Sequence, residues 1–119
     1  MKEIYTLSNI DGITKIKFAE NPSYDLVKTI IDELAEKDLY MRRLWDLREI
    51  NFDWSSDMLR DIAEYGKNKF LKPNKAAFVV DTDLAFGEMR MFMVYREEED
   101  KTYPNVFRIY NKAIEYLNT

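Results

Sequence analysis

The 119-residue sequence contains no cysteine and no histidine. Without cysteine the chain forms no disulfide, carries no thiolate nucleophile and has no cysteine metal site. Without histidine it lacks the side chain that titrates closest to neutral pH and the commonest protein ligand for zinc and copper. Metal binding or acid/base catalysis would therefore depend on carboxylates, lysines and tyrosines alone.

The chain also lacks a strong charge of one sign and any long apolar run. Its net charge is -4 although 34% of its residues are charged, so no large positive field is available to hold nucleic acid. No stretch of about 18 apolar residues occurs, and the start "MKEIYTLSNIDG" lacks the continuous apolar core of a signal peptide. We expect a soluble, cytoplasmic protein with no integral membrane segment and no nucleic-acid partner.

What the chain does contain is a large apolar fraction. Hydrophobic residues make up 46% of it, with eight tyrosines, seven phenylalanines and two tryptophans, which excludes a disordered composition. A domain of this length buries roughly two thirds of the surface that its unfolded chain exposes. Because no change of composition and no Pro/Gly/Ser-rich linker divides the sequence, we predict a single domain covering residues 1–119.

Hydrophobic periodicity predicts nine elements. "KEIYTL" and "GITKIKF" alternate around a turn ending in Asp11-Gly12, which is typical of a β-hairpin. A helix follows from about Pro22 to Lys37, with Asn21 as its N-cap. The remaining elements are a strand in "MRRLWDL", a helix from near Ser55, the buried strand "AAFVV", a helix from about Asp83, the strand "NVFRIY" and the helix "NKAIEYLN". This order predicts an α/β fold with a five-stranded, mixed but mostly parallel sheet, an N-terminal β-hairpin and about four helices.

Three stretches carry a family resemblance: "LWDLREINFDWSSDMLRDIAEY", "KAAFVVDTDLAFGEMRMFMVY" and "VFRIYNKAIEYL". Together they resemble the STAS-like, SpoIIAA-like superfamily of small bacterial proteins, which is sometimes grouped with lipid-binding domains. The resemblance implies a STAS-like domain with the same order of elements and a role in binding protein partners, notably anti-sigma factors. It also implies that Ser55 stands at the position of a regulatory phosphoserine. Trp54 and Asp57 differ from the family pattern, which has aspartate and glycine at those positions.

Ser55 has two interpretations. Serine is a favoured N-cap, because its Oγ accepts a backbone N–H that the helix leaves unsatisfied, and Asp57 in the first turn suits the helix dipole. Alternatively, Ser55 is a phosphoacceptor, although the added charges would then lie beside Asp53 and Asp57. We predict a helix cap and keep phosphorylation as the alternative.

The third predicted helix is apolar on two sides. At 100° per residue, one stripe contains Ala85, Phe86, Met89, Phe92 and Met93. A second stripe, nearly opposite, contains Leu84, Met91 and Tyr95, with Val94 beside it. Such a helix is either covered twice within the monomer or exposes one stripe to another molecule. Trp54, in the loop before the second helix, similarly either fills the end of the core or contacts a partner.

Asp46, Asp81 and Asp83 lie at or just after the carboxyl ends of predicted strands, the edge where open α/β sheets bind ligands. Carboxylates clustered there could hold Mg²⁺ or act as an acid/base pair. Alternatively, Asp81, Thr82 or Asp83 is the N-cap of the third helix. No phosphate-binding loop or nucleophile motif accompanies them, so we predict a protein without catalytic activity or cofactor.

These observations favour a non-catalytic regulatory or protein-interaction module. It would self-associate, as a homodimer, or bind a protein partner through the third helix and the loop before the second helix. The candidate surface consists of Trp54, Leu84, Met91, Val94 and Tyr95. The alternative is a binder of a small apolar molecule or lipid, in a pocket lined by Phe86, Met89, Phe92 and Met93 that opens when the third helix moves away from the sheet. A carboxylate-based enzyme is the third hypothesis.

Overall fold

The computed structural model describes residues 4–37, 42–50, 54–70, 74–97 and 102–119. Its elements are β1 (Tyr5–Ile10), β2 (Ile13–Phe18), α1 (Tyr24–Glu36), β3 (Arg42–Asp46), α2 (Ser56–Lys69), β4 (Asn74–Val79), α3 (Asp83–Glu97), β5 (Thr102–Phe107) and α4 (Tyr110–Leu117). The predicted α/β fold, with its N-terminal hairpin, five-stranded mixed sheet and four helices, is confirmed. None of the helices in the described ranges has the length and apolarity needed to cross a membrane.

The strands lie side by side in chain order, from β1 to β5. β1 and β2 pair antiparallel, whereas β2, β3, β4 and β5 pair parallel. Right-handed crossovers that always step in the same direction place their connecting helices on one side of a sheet. Accordingly, α1, α2 and α3 pack on one face and α4 packs on the other.

Each face of the sheet has its own buried cluster. We call the side covered by α1, α2 and α3 the helix-rich face; its strand residues include Ile16, Phe18, Trp45 and Phe78. We call the other side the α4 face; its strand residues are Ile13, Leu44, Ala77 and Val79. The two sets alternate along each strand because successive side chains of a strand point to opposite faces. The continuous apolar run in β4 is explained in the same way, since its residues are buried on both sides.

Two predicted element boundaries were wrong. The N-cap of α1 is Ser23, whose Oγ accepts a hydrogen bond from the Leu26 N–H at 3.1 Å, and not Asn21. Serine caps a helix as well as asparagine does, and Pro22 lies before the cap, buried against the core. The fifth strand ends at Phe107, where its pairing with Val79 of β4 ends, and does not continue to Tyr110.

Candidate binding cavity

A cavity of about 60 Å³ lies between the helix-rich face of the sheet and α1, α2 and α3. The sheet contributes Phe18, Arg43, Trp45, Ala76 and Phe78 to its walls. The helices contribute Val27 and Ile31 from α1, Leu59 and Ile62 from α2, and Met89 and Phe92 from α3. Trp54 and Phe92 are half-buried, whereas the other lining residues are buried. The cavity is therefore partly open, and these two aromatic side chains lie where it approaches solvent.

Aromatic rings form the floor of the cavity. Phe18 and Trp45 are stacked with centroids 6.3 Å apart, and Trp45 and Phe78 are stacked at 6.4 Å. Phe92 of α3 meets Phe78 edge-on at 5.4 Å. The parallel register places Trp45 directly beside Phe78, so the row of rings follows from strand pairing. Large rings with two rotatable bonds each give a stiff apolar surface.

The cavity exists where a small residue stands among large ones. Ala76 occupies the position of β4 that lies beside Arg43 of β3, and it is fully enclosed. Gly66 of α2 also lines the cavity and contributes no side chain. Because protein interiors are otherwise packed at crystal-like density, the missing side-chain volume at these two positions explains why space remains between the sheet and the helices.

Among the described residues that line the cavity, Arg43 is the charged one. Its side chain is 3% exposed, and its guanidinium carbon lies 4.1 Å from the centroid of the Phe70 ring. Stacking on an aromatic face is a geometry that guanidinium groups favour. The sequence signal for this residue is strand alternation, since "RRLWD" places Arg43 on the same face as Trp45.

The loop before α2 carries both residues that the resemblance singled out. Ser55 is the N-cap of α2, and its exposed Oγ accepts the Met58 N–H at 3.2 Å, so the predicted cap is confirmed. Trp54 meets Tyr24 of α1 edge-on at 6.3 Å and lines the cavity. It therefore fills part of the core while keeping part of its ring at the surface. Whether Ser55 is phosphorylated stays a prediction.

The two stripes of α3 have different environments. In the first stripe, Ala85 and Met89 are buried, while Phe86, Phe92 and Met93 are half-buried against the core. Of that stripe, Met89 and Phe92 line the cavity and the other residues do not.

In the second stripe of α3, Leu84 is 69% exposed, Val94 58% and Met91 42%. Tyr95 is half-buried, with the Arg60 guanidinium 4.9 Å from its ring centroid. Most of the acidic turn "REEEDK" that could cover this stripe lies outside the described residues.

The carboxylate of Asp46 is buried beneath three cations on the α4 face. Arg48 donates two side-chain hydrogen bonds to it, at 2.9 and 2.8 Å, and Lys17 lies 3.3 Å away, with Lys15 at 3.8 Å. Burial alone would raise the pKa of Asp46, but the hydrogen bonds from Arg48 and the charges of Lys17 and Arg48 outweigh it and lower the pKa to about 2. An aspartate held ionised in this way is a poor proton donor or acceptor near neutral pH.

The other two candidate carboxylates have separate partners. Asp81 accepts the Glu49 N–H at 3.0 Å, and Asp83 forms an ion pair with Arg108 that lowers the pKa of Asp83. The N-cap of α3 is Thr82, whose Oγ1 accepts the Ala85 N–H at 3.1 Å. Within the described ranges, no three acidic side chains come together in a way that could hold a metal ion.

Comparison of the chain with protein-family models and with curated proteins gives no match. The resemblance to the STAS-like, SpoIIAA-like superfamily therefore stays a prediction. Two features of the molecule bear on its function: the cavity with its buried arginine and the exposed second stripe of α3.

Proposed function

We propose that this chain is a non-catalytic binding module that holds a small apolar ligand in the cavity beneath α1, α2 and α3. The observation that carries the proposal is the composition of the cavity wall: among the described residues that line it, Arg43 is charged and the others are apolar. Ligand sites are commonly concave spaces with mostly apolar walls and a few polar groups that fix orientation. The lipid-binding domains with which the STAS-like superfamily is grouped are consistent with this role.

The size of the cavity limits what it holds. An apolar cavity of roughly 150 Å³ accommodates benzene, so a space of about 60 Å³ has to widen before it holds a ligand of that size or larger. Met89, which is unbranched and adaptable, lies in the wall next to the half-buried Phe92. A shift of these two α3 side chains would widen the cavity without unfolding the helix.

Fluorescence tests the proposal directly, because the chain has two tryptophans and both line the cavity. Titration with 1-octanol, a slender neutral probe, is expected to change the tryptophan emission in a saturable way. Ala76→Leu fills the cavity and is expected to abolish this change. Ala35→Leu adds the same atoms to a half-buried position of α1 outside the lining and is expected to leave it intact. Absence of saturable binding, or equal binding by the Ala76→Leu variant, would overturn the proposal.

As a second candidate function we propose self-association through the second stripe of α3. Leu84, Met91 and Val94 are exposed there, and Gly87 lies on the same side of the helix at position i+3 from Leu84. Among the described residues, none lies within 4 Å of a Cβ built on Gly87, so another helix could approach the backbone closely at this point. A second copy of the chain would present the same apolar stripe, which makes the contact self-complementary.

Light scattering coupled to size exclusion tests the second candidate. The wild type is expected to be a dimer that Met91→Glu converts to a folded monomer. Ile10→Glu is the matched control, because Ile10 of β1 is 39% exposed and Met91 is 42% exposed. A wild-type monomer at all concentrations, or equal dissociation by the control, would exclude this interface.

A further inference from the structure

We infer that the α4 face of the sheet carries a phosphate-binding site formed by Lys15, Lys17 and Arg48, with a phosphate monoester group as its ligand. This site lies on the opposite face of the sheet from the cavity, so the inference does not rest on the proposed apolar ligand. It depends on the number of cations around Asp46, on the open sheet surface beside them and on the hydroxyl groups that border that surface.

The three cations converge on a single oxygen atom. Asp46 Oδ2 lies 2.8 Å from a guanidinium nitrogen of Arg48, 3.3 Å from Lys17 Nζ and 3.8 Å from Lys15 Nζ. The other ion pairs between described residues each join one cation to one carboxylate. Cations held this close together repel one another, and a nearby anion relieves that repulsion. The arrangement around Asp46 is therefore one that a further anion stabilises.

The excess charge of the cluster indicates the type of anion. One carboxylate neutralises one of the three cations, so two positive charges remain. The pKa of Arg48 is raised mainly by its hydrogen bonds to Asp46 and to a smaller extent by the charge of Glu49, which is exposed and therefore screened by solvent. A phosphate monoester carries close to two negative charges at neutral pH. It matches the excess, whereas a carboxylate supplies only one charge.

The sheet surface beside these cations is open. α4 packs on β3, β4 and β5, and the side chains of Lys15 and Lys17 in β2 keep 19% and 44% of their surface exposed. Thr6 and Ser8 of β1 are exposed and lie directly opposite Lys17 and Lys15. Residues directly opposite in an antiparallel pair point to the same face, so two hydroxyl groups border the ammonium groups. Hydroxyls donate hydrogen bonds to phosphate oxygens.

Two of the cations are held in place before any ligand arrives. Lys15 Nζ lies 4.7 Å and the Arg48 guanidinium carbon 5.0 Å from the ring centroid of Tyr110, and the attraction of cations to an aromatic ring restrains both side chains. Arg48 uses its Nε and one terminal nitrogen for Asp46. Because guanidinium has five N–H donors, its other terminal nitrogen can donate to an anion. Restrained side chains lose less freedom when a ligand binds.

Calorimetric titration of the full chain with inorganic phosphate, at constant ionic strength, tests the inference. Phosphate is expected to bind in a saturable way and roughly tenfold more tightly than acetate, which carries one charge. Flotation with phosphatidylcholine vesicles, with and without phosphatidic acid, separates two sources of the group. Binding only to vesicles that contain phosphatidic acid indicates a lipid head group, and binding of inorganic phosphate without vesicle binding indicates a soluble ligand. Binding of neither probe, or equal binding of acetate and phosphate, would overturn the inference.

A matched pair of lysine variants separates a defined site from a response to net charge. Lys17 Nζ lies 3.3 Å from Asp46 with its side chain 44% exposed, and Lys69 Nζ lies 3.2 Å from Asp32 with its side chain 45% exposed. Lys17→Gln is expected to weaken phosphate binding roughly tenfold, and Lys69→Gln to leave it unchanged. Equal effects of the two variants would overturn the site. Should Lys17→Gln not fold, Lys15→Gln decides the question by the same criterion, because Lys15 lies 3.8 Å from Asp46, beyond hydrogen-bond distance.

Discussion

The two faces of the sheet differ in how completely their side chains fill the space beneath the covering helices. The α4 face is covered by one eight-residue helix, yet Leu44, Val79 and Leu117 there are fully buried, and the charge of Asp46 is matched by Arg48 and Lys17. The helix-rich face is covered by three helices and still contains the cavity. The cavity therefore does not result from sparse coverage. It results from small residues placed among large aromatic ones.

The topology explains why the carboxyl edge of the sheet carries no ligand site built from the three aspartates. In doubly wound sheets the ligand binds at the carboxyl edge, at the point where the strand order reverses. Here the order runs from β1 to β5 without a reversal. Asp46, Asp81 and Asp83 consequently do not form one site at that edge, and each has its own partner.

Truncating one leucine on each face is expected to give the largest difference in the free energy of unfolding between the two faces. Leu44→Ala removes a fully buried side chain from the α4 face, where neighbours surround it, and is expected to cost about 3 to 5 kcal/mol. Leu47→Ala removes a side chain that borders the existing cavity and is expected to cost about 2 to 3 kcal/mol, because a group beside a void has fewer contacts to lose. Denaturant unfolding measures both. A larger loss of stability for Leu47→Ala than for Leu44→Ala would contradict the proposed difference in packing between the two faces.

Replacing adjacent alanines by leucine tests the difference in packing between the two faces by adding side-chain volume instead of removing it. Ala77 faces α4, and Ala77→Leu is expected to destabilise the fold by about 1 to 3 kcal/mol through overpacking. Ala76 faces the cavity, and Ala76→Leu is expected to change the free energy of unfolding by less than about 1 kcal/mol, since the added atoms enter existing space. Thermal unfolding of the two variants side by side measures the difference. Equal destabilisation would show that no usable space exists beside Ala76.

The buried aspartate on the α4 face gives a pH-dependent prediction. The pKa of Asp46 is lowered from 3.8 to about 2 in the folded chain, so its ionised form stabilises the fold above about pH 4, and this contribution is lost as the pH falls through about 2. Asp46→Asn is expected to cost about 1 to 3 kcal/mol at pH 7 and progressively less toward pH 2. Urea unfolding at several pH values measures this, with the exposed Asp81→Asn as control. A cost for Asp46→Asn that does not change with pH would refute it.

Adjacent serines provide the smallest predicted effect. Ser55→Ala removes the N-cap of α2 and is expected to destabilise the fold by about 1 kcal/mol. Ser56→Ala changes an exposed residue in the first turn of the same helix and is expected to be nearly neutral. Unfolding curves distinguish the two. Equal effects would mean that the hydrogen bond from Met58 to Ser55 contributes little to stability.

Much of the fold could be predicted from periodicity. The hairpin, the amphipathic α1 and the buried run of β4 each have a pattern that one secondary structure satisfies, and the order of elements then determines the sheet. The boundaries were less certain because several residues near α1 can cap a helix, and Ser23 does so rather than Asn21. The end of β5 is set by where its pairing with β4 ends, and the sequence of β5 alone carries no information about that pairing.

The candidate site was only partly predictable. Alternation places Arg43 with Trp45 on one face. Of the four α3 residues predicted to line a pocket, Met89 and Phe92 line the cavity, whereas Phe86 and Met93 do not. The cavity itself depends on how Ala76 of β4 packs against three helices that are distant in the chain, so no local pattern reveals it. A buried arginine in a strand is the sequence feature that could have pointed to it.

Methyl NMR during a titration with 1-octanol tests the central claim, that the cavity binds an apolar ligand, most directly. We predict that signals of Ile62, Leu59 and Met89, which line the cavity, shift in a saturable way. Those of Leu44, Val79 and Leu117 on the α4 face are expected to stay in place. Equal shifts on both faces, or none at all, would contradict the proposal that the helix-rich face holds a binding cavity.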